Sequence, residues 1–149
     1  MNVRLKFYYL NSFLSLLLGI ILYLVIRKDP ILESYENLFP FFRMFREKVY
    51  LENIKTIPLY GFINNHLSDI FWAYSYSIIL FLKSQSFIKV LFLSFLIACI
   101  TEYLQLINLV FGTFDFYDIL WEITSTILAL SICSYFDRKY YQNTFNKSI

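Results

Sequence analysis

The chain has 149 residues, of which 58% are hydrophobic, 21% aromatic and only 16% charged. A soluble domain is about 45–50% apolar and about 25% charged, so this composition indicates a membrane protein without a separate soluble domain. The net charge is +2, and the 13 Lys and Arg residues are scattered singly or in pairs, which excludes a nucleic-acid-binding patch.

The first predicted element is a transmembrane helix over residues 7–26. Its 20-residue apolar run has the length of a membrane span, whereas a secretory signal has about 7–15 apolar residues and a small-residue cleavage site. Further spans are predicted over residues 66–82, 87–107 and 116–136. Because backbone groups in hydrocarbon must bond internally, all four are expected to be helices. The sequence therefore predicts an all-α, four-helix integral membrane bundle forming one domain over residues 1–149.

Residues 27–65 form the predicted connector between the first and second spans. Within it, the stretch 41–54, FFRMFREKVYLENI, repeats apolar residues at helical spacing, with charged residues largely between them. This pattern is typical of an amphipathic helix lying in the membrane interface. An ordinary solvated connector fits the stretch equally well, and the sequence does not separate the two.

The distribution of basic residues predicts an orientation. The N-terminus, the loop between the second and third spans and the C-terminal tail share one side of the membrane and hold seven Lys and Arg residues. The other side holds six, all within the long connector. Since short loops rich in Lys and Arg stay inside, both termini are expected in the cytoplasm.

Carboxylates concentrate at the opposite, extracytoplasmic face. Residues 101–123 contain four acidic residues and no Lys or Arg, and the second span begins with a fifth. His66 falls at the same face and is interpreted as an interfacial residue. The predicted ligand-binding residues are Asp69, Glu102, Gln105, Asp115, Asp118 and Glu122.

Helical spacing indicates where these side chains point. Asp115, Asp118 and Glu122 lie at i, i+3 and i+7 of the fourth span, and small or polar residues continue the same stripe. A similar stripe on the third span contains Ser94 and Glu102. Such stripes mark helix–helix interfaces in membranes, so Glu102 and Glu122 should face inward.

Buried carboxylates need a partner, because an acid at the centre of a membrane helix costs about 2.5–3.5 kcal/mol. Asp115 or Asp118 could cap the fourth helix, where the helix dipole favours negative charge. Glu102 and Glu122 could be protonated, hydrogen-bonded or bound to a cation. Since hard divalent cations prefer oxygen ligands, a metal site at Glu102, Asp115 and Asp118 is the cofactor hypothesis.

The motifs around these residues resemble the VanZ-like family of small bacterial integral membrane proteins. In that family a Glu precedes a Gln by three residues near the end of one span, and two aspartates open the next. Here TEYLQ supplies Glu102 and Gln105, and GTFDFYDILWEITS supplies Asp115 and Asp118. The resemblance covers the last three spans and implies a multi-pass protein of the bacterial cell (inner) membrane.

This chain departs from the family pattern at several positions. Gly112 and Thr113 occupy a turn where members often carry a basic residue. Glu122 stands where Asn is usual, and Ser125 where Gly is usual. The chain would therefore be a divergent member, with one more carboxylate and one fewer cation.

Two interpretations of function stay open. In the first, the acidic pocket binds or acts on a cell-envelope ligand, either a lipid-linked or a glycopeptide-like molecule. In the second, the protein is non-catalytic and structural or partner-binding, and its carboxylates are protonated or hydrogen-bonded. The absence of a nucleophile motif and of an arginine clamp disfavours catalysis, and no catalytic residue is assigned. The bilayer is the one partner that composition indicates, and the sequence does not reveal an oligomeric state.

Overall fold

The computed structural model describes residues 3–26, 44, 59–110 and 113–145. Within these ranges no residue lies in a β-strand, which confirms the predicted all-α class. The helices are α1 (Val3–Ile26), α2 (Tyr60–Asn65), α3 (Leu67–Ser84), α4 (Phe87–Leu106) and α5 (Phe116–Phe145).

Among the described residues, three helices are long and apolar enough to cross a membrane. These segments are Val3–Leu24 of α1, Phe87–Leu106 of α4 and Phe116–Tyr140 of α5. They match the first, third and fourth predicted spans, and they make the chain compatible with a multi-pass membrane protein. Helix α3 also has 18 residues, but its Ser, Tyr and Asp residues lower its apolar character, and it is not among the three.

Helix α3 lies between the other long helices and packs against α1, α4 and α5. On the α1 side, the Ser12 hydroxyl lies 2.9 Å from the Ser75 hydroxyl, and Ser15 donates to the Phe71 carbonyl oxygen at 2.9 Å. One turn further, Gly19 lies directly against the Trp72 ring. Small residues at this spacing let two membrane helices approach closely, which explains the tight α1–α3 contact.

Hydroxyl groups also join α3 to α4 and α5. The Ser77 hydroxyl lies 2.9 Å from the Thr126 hydroxyl and 3.3 Å from the Ser94 hydroxyl, and all three side chains are buried. Ser125 donates to the Ile70 carbonyl oxygen at 2.6 Å. These contacts confirm the prediction that the small and polar stripes of the third and fourth spans face neighbouring helices.

The start of α1 meets the end of α5. Arg4 Nη2 donates to Asp137 Oδ2 at 2.9 Å, and the Tyr8 hydroxyl donates to Asp137 Oδ1 at 2.6 Å. The Phe7 and Phe136 rings stack beside them with centroids 3.9 Å apart. Helix α5 continues past residue 136, where the predicted fourth span ended, and Asp137 makes these contacts from the first residue of that extension.

The predicted connector is described only in part. Helix α2 occupies its last six residues, Tyr60–Asn65. The rest of residues 27–65, including the proposed amphipathic stretch 41–54, lies outside the described residues apart from Met44 and Leu59. The interfacial segment therefore stays a prediction.

Candidate functional site

His66 forms the break between α2 and α3. It is the C-cap residue of α2 and immediately precedes Leu67, the first residue of α3. Its side chain therefore lies at the end where α3 and α5 begin. There His66 Nδ1 lies 2.5 Å from Asp118 Oδ1, and each side chain is 13% exposed. The Phe62 ring packs against both the His66 and the Trp121 rings, with centroid distances of 5.7 Å and 4.9 Å. These contacts fix the imidazole beside the first turn of α5.

Asp115 caps the N-terminus of α5. Its Oδ1 accepts a hydrogen bond from the Tyr117 backbone N–H at 2.8 Å, and its carbonyl oxygen accepts from the Asp118 N–H at 3.1 Å. A carboxylate at this position satisfies a free helix donor and interacts favourably with the helix dipole. The capping role considered from the sequence is therefore confirmed for Asp115.

Glu102 holds the end of α4 to the start of α5. Its side chain is buried, and Oε2 accepts a hydrogen bond from the Asp115 backbone N–H at 2.8 Å. Just past the end of α4, Asn108 has φ of 56°, a left-handed conformation that asparagine tolerates. The inward orientation predicted for Glu102 is thus confirmed, and its partner is a backbone amide rather than a side chain.

Three side chains at this end have the spacing of metal ligands. One ring nitrogen of His66 and one carboxylate oxygen from each of Asp115 and Asp118 all lie within 4.8 Å of one another. Imidazole together with carboxylates suits Zn²⁺, Fe²⁺ or Mn²⁺ better than Mg²⁺ or Ca²⁺, which prefer oxygen alone. The predicted metal ligands were Glu102, Asp115 and Asp118, whereas the three side chains that converge in the structure are His66, Asp115 and Asp118. The role of Glu102 as a metal ligand stays a prediction.

The other predicted residues lie around this group. The Tyr76 hydroxyl donates to Glu122 Oε2 at 3.2 Å, deeper between the helices. Asp69, in the first turn of α3, is close enough to interact electrostatically with both Glu102 and Glu122. Gln105 lies in the last turn of α4, where its carbonyl oxygen accepts from the Asn108 N–H at 3.0 Å. We call Asp69, Glu102, Asp115, Asp118, Glu122 and His66 the acidic end.

His66 is the member of the acidic end that sequence reasoning did not assign to the site. A lone histidine at a membrane face is ordinarily an interfacial residue, and nothing in the sequence linked it to Asp118, 52 positions later. The one available indication was its position along the chain: His66 begins the second predicted span at the membrane face where the fourth predicted span also begins. The arrangement that results can bind a divalent cation or an ammonium group.

Comparison with known proteins does not identify a family for the chain or a function for this site. No family model, no curated protein and no solved structure matches the chain. The resemblance to the VanZ-like family therefore rests on the Glu102–Gln105 and Asp115–Asp118 motifs alone.

Proposed function

We propose that the chain is a divergent VanZ-like protein of the bacterial cell membrane whose acidic end binds a cell-envelope ligand through a divalent cation. The observation that carries this proposal is the convergence of His66, Asp115 and Asp118 with their ligand atoms within 4.8 Å. Three protein ligands leave coordination positions open, so a bound metal could accept an oxygen from a phosphate or carboxylate of the ligand.

In this proposal α3 also crosses the membrane, as the second of four spans in chain order. Its 18 residues extend about 27 Å, close to the roughly 30 Å of bilayer hydrocarbon. Its polar side chains are not a barrier to insertion, because Ser75 and Ser77 bond to neighbouring helices. An even number of spans would place both termini on the same side of the membrane and the acidic end on the other. The basic-residue bias then favours the cytoplasm for the termini and the extracytoplasmic side for the acidic end.

The acidic end supports binding more than catalysis. The Asp118 carboxylate beside His66 could orient the imidazole as a general base, but the sequence supplies no nucleophile motif and no arginine clamp for phosphate. A cation held by His66, Asp115 and Asp118 would instead join the carboxylates to an anionic group of a lipid-linked ligand. A glycopeptide-like ligand could bind the same carboxylates through its amines.

Thermal unfolding of the detergent-purified protein tests the metal site. We expect Zn²⁺ and Mn²⁺ to raise the midpoint and Mg²⁺ and Ca²⁺ to raise it less. A cation at 100 times its Kd adds about 2.7 kcal/mol to the free energy of unfolding. At about 2–4 °C per kcal/mol, the midpoint should rise by about 5–11 °C.

Two variants with equal charge make this test specific. Asp118→Asn removes a proposed ligand and should abolish the Zn²⁺ response, whereas Asp69→Asn removes one charge from the acidic end and should keep most of it. His66→Gln should also lose the response. A flat response of the wild type to all four ions, or equal losses in both aspartate variants, would count against a metal site.

A structural role is the second candidate, because most of these carboxylates already have partners. Glu102 accepts from the Asp115 amide, Glu122 accepts from Tyr76, and Asp118 lies beside His66. In that case no cation would shift the midpoint, while Glu102→Ala would still destabilise the protein. The same unfolding experiments therefore separate the two candidates.

A further inference from the structure

A groove of about 610 Å³ opens between α1 and α4 along the side of α3. Large apolar and aromatic side chains form most of its lining, and Ser12 and Ser75 lie on its floor. The principal lining residues are Tyr9, Phe13, Leu16, Trp72, Ile79 and Ile97.

In a membrane that α1 and α4 cross, the surroundings of this groove are hydrocarbon rather than water. Both α1 and α4 are long and apolar enough to cross a membrane, so an opening between them faces lipid. Water would find few partners there, because the Ser12 and Ser75 hydroxyls already bond to each other and to backbone carbonyls. An empty groove would forfeit dispersion contacts along its whole lining. An apolar molecule must therefore fill it.

The lining favours an acyl chain over another helix. Membrane helices associate through small residues that allow close backbone approach. In the groove the small residues Ser12 and Ser75 are used in the α1–α3 contact, and the exposed positions are large side chains such as Phe13, Leu16 and Ile97. An acyl chain is thin, needs no hydrogen bonds and can follow such an irregular surface.

One wall of the groove leads to the acidic end. Tyr76 lines the groove and donates its hydroxyl hydrogen to Glu122, which lies one turn of α5 beyond Asp118. We infer that the groove binds one acyl chain of a membrane phospholipid whose anionic head group lies at the acidic end. The position of the head group rests on the proposed function, since a phosphate meets carboxylates favourably only through a cation. Binding of the acyl chain in the groove does not depend on the proposed function.

Native mass spectrometry with phosphatidylglycerol as the probe tests chain binding. Leu16 and Leu17 are each 41% exposed, but only Leu16 lines the groove, which makes Leu16→Trp and Leu17→Trp a matched pair. We expect the wild type and Leu17→Trp to retain one lipid through detergent purification, and Leu16→Trp to bind it at least tenfold more weakly. Ile97→Trp, from the opposite wall, should repeat the loss. No retained lipid in the wild type, or equal retention by both leucine variants, would overturn the inference.

Retention with and without Mn²⁺ tests the head group. We expect Mn²⁺ to increase retention of phosphatidylglycerol by the wild type but not by Asp118→Asn, and to leave phosphatidylcholine unchanged. An equal Mn²⁺ effect on both lipids would refute the head-group position. Groove-dependent retention without any metal-induced thermal shift would uphold chain binding and refute the proposed function. A metal-induced thermal shift together with full lipid retention by Leu16→Trp would uphold the proposed function and refute acyl-chain binding in the groove.

Discussion

Glu102 offers a substitution test that separates removing the charge from removing the hydrogen-bond acceptor, because only the second should destabilise the protein. Its Oε2 accepts from the Asp115 N–H at 2.8 Å, and the side chain is only 4% exposed. Glu102→Gln keeps an oxygen at this position and removes one negative charge from the neighbourhood of Asp69, Asp115 and Asp118. Glu102→Ala removes the acceptor as well.

The magnitude follows from the kind of bond that is lost. Hydrogen bonds in membrane proteins average about 0.6 kcal/mol, but bonds to charged groups contribute about 1.5–3 kcal/mol. With Glu102 ionised, its bond belongs to the second kind, because a buried carboxylate then accepts from an amide at a helix N-terminus. We therefore expect Glu102→Ala to lower the free energy of unfolding by about 1.5–3 kcal/mol. Glu102→Gln should equal or exceed the wild type, since the bond is kept and like-charge repulsion falls.

The assay is thermal unfolding by circular dichroism in detergent with EDTA, so that no cation contributes. At about 2–4 °C per kcal/mol, the alanine variant should unfold about 3–12 °C below the wild type. Equal destabilisation by Gln and Ala would refute this reasoning, because the negative charge itself would then be the stabilising element. An unchanged midpoint for Ala would show that the Glu102–Asp115 bond contributes nothing measurable.

Two further predictions concern helix packing. Gly19→Leu should lower the free energy of unfolding by about 1–3 kcal/mol, because the added side chain would overpack against Trp72. Gly61→Leu is the control in the same unfolding assay and should change little, since a Cβ added at Gly61 meets nothing within 4 Å. Arg4→Met and Asp137→Asn should couple by about 0.5–3 kcal/mol in a double-mutant cycle, because their side chains form a partly buried ion pair with Nε 2.7 Å from Oδ1; additive effects would contradict the pair.

The helices of this protein were predictable because their signals are local. The lengths of the apolar runs located α1, α4 and the start of α5 within a few residues, although α5 ends at Phe145 rather than at 136. The spacing of Ser94 and Glu102 identified the buried face of α4. The capping role of Asp115 could also be considered from its place before an apolar run. Each of these inferences needs only neighbours within one or two helical turns.

The contacts of the acidic end were harder to predict because they join distant parts of the chain. His66 lies beside Asp118 at the break between α2 and α3, and no Gly or Pro in the sequence marks that break. Glu102 bonds to a backbone amide, a partner that no residue pattern reveals. The Arg4–Asp137 pair likewise depends on α5 continuing past the predicted end of its span.

The central position of α3 has a consequence for how the protein is made. As the proposed second span, α3 is translated before α5, yet its Ser77 hydroxyl and Ile70 carbonyl oxygen bond to Thr126 and Ser125 of α5. Its early partner is α1, through Ser12 and Ser15. We therefore expect α3 to enter the bilayer as a pair with α1 and to gain full stability only when α5 has been translated. A chain truncated after Ser84 should be a substrate for membrane quality-control proteases.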